Sequence, residues 1–177
     1  MKNILRNISF ALSVCLFSFH VHSQNMKTTI KIQAMDMAGA LVKNDFNAFL
    51  KYMHPRVIEI AGGKQKLKSN MDSADAMMKQ FGMEFQKIII GHPGEIISYK
   101  GQLQSIVPQN TTMKSQLGEL YLETSLIAIS MDQGKHWYFI DTNVYKADKL
   151  KTELPDLSPK LVIPPQKEPK FTVAGNN

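Results

Sequence analysis

Glu59 is the one acid in an otherwise apolar phrase, Val57-Ile58-Glu59-Ile60. A carboxyl held in a closed apolar pocket loses hydration, its pKa rises, and it becomes able to shuttle a proton. The competing reading is alternation on a short strand, with Val57, Glu59 and Ala61 facing outward and Ile58 and Ile60 facing the core. His54, His92 and His136 lie 38 and 44 residues apart. A zinc site wants three or four ligands, commonly two of them at short spacing, so no metal is expected and the histidines read as solvated or capping groups. His54, in the phrase Tyr52-Met53-His54-Pro55, is kept as a candidate ligand contact. Ser130-Met-Asp132-Gln-Gly134-Lys-His-Trp137 fits S-x-D-x-G-x-x-W, the Asp-box pattern. There the Asp side chain accepts turn amides, Gly supplies a positive φ and the Trp packs beneath the turn. Ser130, Asp132, Gly134 and Trp137 therefore read as a structural hairpin lock, and the alternative is a sugar-touching surface built on Trp137. Glu119, Tyr121 and Glu123 alternate along a strand, either as a solvated face or as a polar pocket wall. No P-loop, nucleotide-binding glycine fingerprint or G-x-S-x-G elbow is present, and no cofactor is expected.

These residues must be positioned by the elements around them. Ala34, Met37, Ala38, Leu41 and Val42, then Phe46, Phe49, Leu50 and Met53, recur at helical spacing and predict helices over 28–43 and 45–53. Asp45 is placed to cap the second, and Pro55 to stop it. A short strand over 56–60 ends at Gly62-Gly63. A third helix runs over 64–81, with Gly82 as its C-cap. The period then changes to two. Strands are expected over 85–90, 95–100, 102–107, 117–131 and 136–142, with a hairpin about Gly101, closure at Pro108 and a polar loop over 109–114. A short helix covers 146–154. Five of the eight prolines fall in 155–177. Leu157, Leu161 and Ile163 would lay this tail over the domain, and the residues from Pro164 onward would form a loose end. The order predicts an α+β fold, with helices packed on one face of a curved, mainly antiparallel sheet.

Lys2 and Arg6 precede an apolar run from Ile8 to Phe19, then Val21-His22-Ser23 before Gln24. That order reads as a secretory signal peptide, residues 1–23, and predicts a periplasmic or extracellular protein. About 12 apolar residues are too few for a span of roughly 20. A rival is lipid attachment at Cys15, although Val14 stands where a small residue is usual. Cutting before Gln24 leaves one domain, 24–154, and a Pro-rich tail, 155–177. The net charge falls from +6 to +4, because Lys2 and Arg6 leave and no acid does. Cys15 is the only cysteine, so the remaining chain would have no disulfide. With 44% hydrophobic and 20% charged residues the chain is not wholly disordered. Its surplus charge is spread out, so no nucleic-acid surface and no membrane span after signal removal are expected. Eight of eleven methionines lie between Met26 and Met83. A Met-rich helical layer either walls a tolerant apolar pocket or simply packs.

Helices ending in "YMHP", then "RVIEI", "GG", another helix and a long-stranded meander ending in "WYFID" resemble the nuclear-transport-factor-2-like superfamily. This is the α+β cone of ketosteroid isomerases, polyketide cyclases and many exported bacterial domains. The resemblance covers about residues 28–145 and implies an apolar pocket at the open end of the cone. It implies Glu59 as the match to a carboxylate base, with Tyr52 and Asp141 as loose matches to oxyanion-hole groups. Three readings follow. The first is a non-catalytic exported domain holding a small apolar ligand. The second is an isomerase, cyclase or hydratase with Glu59 as proton shuttle. The third is a module that forms a homodimer through the outer sheet face around Tyr121 and Tyr138.

Overall fold

The computed structural model describes residues 23–145 and 147–173, so all of the proposed leader but Ser23, Cys15 included, lies outside the described residues. Helix α1 covers 23–42. Ile30, Ala34, Met37 and Ala38 sit on one stripe of it, and all four are buried. Two short helices follow, α2 (Phe46–Leu50) and α3 (Pro55–Ile60), then the long α4 (Lys64–Gln80). The Asp45 carboxylate accepts the Ala48 N–H at 3.0 Å, as its N-cap position predicts.

The α3 helix corrects the short strand expected over 56–60. Pro55 does not merely end the preceding helix. It stands at the first position of α3, where a missing N–H costs nothing, and His54 caps that helix. The β-branched run at 57–60 reads as strand by propensity, but cap and proline select a single helical stretch. The alternation argument for Glu59 falls with the strand: Val57 is buried, whereas Ile58 and Ile60 are half-buried.

The sheet comprises β1 (Glu84–Ile90), β2 (Ile97–Tyr99), β3 (Gln102–Ser115), β4 (Gly118–Ser130), β5 (Tyr138–Asp141) and β6 (Lys170–Val173). Its path is β1-β3-β4-β5, with β2 also on β3 and β6 also on β4, every pairing antiparallel. The sheet is curved and does not close, so the fold class is α+β. Lys100 and Gly101 both have positive φ, which gives the tight β2–β3 turn predicted around Gly101.

Two expectations are corrected along this sheet. Residues 109–114 are not a loop, because β3 runs unbroken from Gln102 through Pro108 to Ser115 and pairs with β4 along its whole length. Pro108 is tolerated because its carbonyl, and with it its nitrogen, faces away from β4. On that side the partner strand is interrupted, and Gly91 N–H donates to Pro108 O at 2.8 Å. Nor are the residues from Pro164 onward loose throughout, because Lys170–Val173 adds β6 to β4.

Alternation divides the core into two layers. Val107, Leu126, Ala128 and Phe139 meet α1 on the inner face, with Trp137 beside them. Ile127, Ile129 and Ile140 face the other way, against Val57, Leu150, Leu154 and Leu161. α5 (Ala147–Glu153) and the tail thus cover the outer face at that end. Buried Gln104 fastens the tail: its amide donates to Asp156 O at 2.7 Å and its oxygen accepts Ser158 N–H at 2.8 Å.

Candidate functional site

An apolar groove of about 850 Å³ opens at the C-terminal end of α1. Leu41 and Val42 form one side, Met71, Ala74 and Met78 of α4 another, and Met83 and Phe85 the sheet side, with Asn143 and Val144 at one edge and Lys43, Asp75, Lys79 and Glu84 also in the lining. Phe85 reaches this side through a β-bulge. The β1–β3 register shifts between Phe85 and Lys87, so Phe85 pairs with Met113 while Ile88 and Ile90 pair with Thr111 and Gln109. Without the extra residue, Phe85 and Ile88 would face opposite sides. A second hollow of about 520 Å³ is lined by Phe46 and Leu50 together with Asn44, Asn47, Lys64, Lys68 and Asp72, and so mixes apolar with charged surface.

Asp141 lies one hydrogen bond behind the groove wall. Its carboxylate accepts Asn143 N–H at 2.7 Å and the Gln109 amide at 3.2 Å, and Gln109 also reaches Thr124 at 3.3 Å. Burial pushes its pKa above the ordinary aspartate value, against the lowering effect of those two hydrogen bonds. Gln109 escaped sequence reasoning because it sat in the stretch expected to be loop.

The other candidate residues do not converge there. Glu59 is exposed and paired with Arg56 at 3.1 Å, and Arg56 also holds Glu153 at 3.1 Å. The Tyr52 hydroxyl donates to Asp36 at 3.3 Å, and burial followed by that neighbouring carboxylate raises its pKa. Tyr52 and Asp141 share no partner. Tyr52 instead stacks on His136 (ring centroids 5.8 Å apart), His136 meets Tyr138 edge-on at 4.6 Å, and Tyr138 meets His54 at 6.0 Å. Spacing along the chain gave no sign of this ladder. It forms because the Tyr52 carbonyl accepts Phe139 N–H at 2.7 Å and docks residues 52–53 on the edge of β5. His54 Nδ1 accepts Arg56 N–H at 3.2 Å, which requires that nitrogen to be unprotonated. Burial lowers the His54 pKa, only partly opposed by Glu59. Tyr121 lies on the outer face beneath Lys170 (5.8 Å to the ring), and Glu123 is bound by Lys167 and Lys170.

The Asp-box sequence builds a closed device. Ser130 Oγ accepts Gly134 N–H at 2.8 Å and donates to Asp132 Oδ1 at 2.9 Å, and Asp132 Oδ1 accepts His136 N–H at 2.9 Å. These bonds, the His136 N–H first, hold the Asp132 carboxyl below the ordinary aspartate value despite some desolvation. Gly134 has φ +89°, and a Cβ there would lie 2.8 Å from Met26 Sδ. Trp137 is fully buried and its indole N–H donates to Gly134 O at 3.0 Å. An indole with no exposed surface offers no stacking platform to a sugar in this conformation. Gln33 of α1 completes the lock, accepting Trp137 N–H at 2.8 Å and donating to Lys135 O at 2.9 Å.

Among the described residues no cluster of three or more His, Cys, Asp or Glu is placed to hold a metal, and no helix is long and apolar enough to cross a membrane. No family description, curated protein or solved structure matches the chain.

Proposed function

We propose that this chain is an exported, non-catalytic cone domain of the nuclear-transport-factor-2-like type, and that it holds a small apolar molecule in the groove between α1, α4 and β1. One observation carries the reading: a groove of about 850 Å³ lined by Leu41, Met71, Met78, Met83 and Phe85, within the size range of small-molecule sites. Thioether side chains adapt to guests of different shape, so the site would be tolerant rather than strict. Export rests on Lys2, Arg6 and the apolar run that follows them.

The enzyme reading draws less support, because Glu59 is exposed, engaged by Arg56 and outside the groove lining. A homodimer through the outer face would have to meet α5 and the tail rather than bare sheet over 127–129 and 140.

The test is a fluorescence titration with the apolar dye 1-anilinonaphthalene-8-sulfonate (ANS). Wild-type protein takes up the dye saturably, at one equivalent. Ala74→Trp, which fills the groove from an exposed wall position, abolishes uptake. Unchanged uptake by Ala74→Trp overturns the reading.

A further inference from the structure

Helix α4 is peculiar in this molecule. It is 17 residues long, yet Leu67 is its only buried residue. Met77 and Phe81, at its far end, are 61% and 66% exposed. A helix that buries so little is poorly held by tertiary packing, which supplies most helical stability in proteins. It is supported from within instead. Lys68 pairs with Asp72, and Lys79 with Asp75, both one turn apart at 2.7 Å. Among the described residues, Leu67 is buried against its neighbours and Lys68 lies over the Phe46 ring at 5.9 Å.

Both ends of α4 are glycine turns. Gly62 and Gly63 precede it with φ of +86° and +91°, and Gly82 follows it with φ of +63°. A Cβ at Gly63 would meet nothing within 4 Å and one at Gly62 only the Lys66 side chain, and the joint is held to α3 by the Gly62 and Gly63 N–H groups, which donate to Glu59 O at 2.9 Å and Ile58 O at 2.8 Å. Between the joints, Met71, Ala74 and Met78 form the α4 wall of the groove.

We infer that α4 is a lid: a weakly anchored helix that unfastens between the glycine turns at 62–63 and 82, losing its own backbone hydrogen bonds as it opens, to admit an apolar guest, and is held down by it once bound. The inference rests on the groove reading proposed above and adds how access to that groove is regulated. An element that must open is drawn from the low-stability end of the molecule, and α4 has the few buried contacts that such an element requires. The guest adds contacts for Met71 and Met78 that exist only when the lid is down, so binding shifts the population toward the closed state.

Hydrogen exchange on the full chain, read by mass spectrometry, tests this. Amides of 67–80 should exchange roughly a hundredfold faster than those of 105–113 and 120–129. Leu67→Ala removes the one buried anchor and should speed exchange over 67–80 by about thirtyfold or more, leaving the strands unchanged. Saturating ANS should slow 67–80 in the wild type by about tenfold. Two results overturn the lid: strands that accelerate in step with α4 in Leu67→Ala, which means the helix opens only when the whole domain does, or bound dye that leaves α4 exchange unaltered. Absence of dye uptake sinks the groove reading instead and takes the lid with it, so the two failures are told apart by the titration.

Discussion

The two ends of the sheet are built on opposite terms. At the β4–β5 end, every side chain of the Asp-box has a partner in the turn or core, α1 reaches in through Gln33, and Trp137 has no exposed surface. At the other end, α4 has one buried residue of its own and contributes Met71 and Met78 to a groove that Met83 and Phe85 line from the sheet side. The comparison separates two uses of apolar side chains. A rigid indole with a fixed hydrogen bond specifies one packing, whereas flexible thioethers tolerate several. Stability is therefore concentrated where the hairpin closes and spare where a guest would enter.

The sharpest way to break this contrast is Trp137→Ala. It removes the largest fully buried side chain and should cost about 3–5 kcal/mol in denaturant unfolding. A loss as small as that of an exposed side chain would mean the hairpin end is not the rigid end. Next comes Asp132→Ala, which takes away the acceptor of His136 N–H and the partner of Ser130. It should cost roughly 1–2 kcal/mol, as loss of a local cap does, and leave dye uptake at the groove untouched. Because the folded state depresses the Asp132 pKa, the carboxylate's contribution is present above the ordinary aspartate value and fades as pH falls through the folded value. The difference between wild type and variant should therefore shrink in acid.

Asp141 gives the smallest effect and the opposite sign. Its pKa is raised in the folded protein, so the folded state binds a proton more readily than the unfolded chain and stability falls as pH rises through that range. Asp141→Asn, which keeps the shape and an acceptor for Asn143 N–H, should modestly raise the melting temperature at neutral pH. The gain should vanish below the unfolded aspartate value of about 3.9. A melting temperature lowered at pH 7 would mean that the two hydrogen bonds outweigh the burial of the charge.

Much of the architecture was legible because it is locally encoded. The helical stripe of Ala34, Met37 and Ala38, the cap at Asp45, the turn at Lys100-Gly101 and the arrest of α4 at Gly82 each depend on residues within a few positions of one another. The Asp-box belongs with them, since Ser130, Asp132, Gly134 and Trp137 meet within eight residues. Less of the candidate site was legible. The methionine layer was noticed as composition, but Phe85 joins the groove only because a bulge at Gln86 turns it to that face.

The sequence by itself determined the period changes, caps and turns, because each is an interaction over a short contour length whose geometry the chain fixes before it folds. Tertiary structure alone decided the rest. It placed Val57 of the locally capped helix 55–60 in the outer core layer, while Glu59 stayed outside with Arg56. It drew polar 109–114 into a strand, since pairing with both β1 and β4 satisfies backbone groups that a loop would leave to water. It stacked Tyr52, His136, Tyr138 and His54 from segments some eighty residues apart. Such choices turn on partners distant in the chain, and the free energy of meeting them is written in no local stretch of residues.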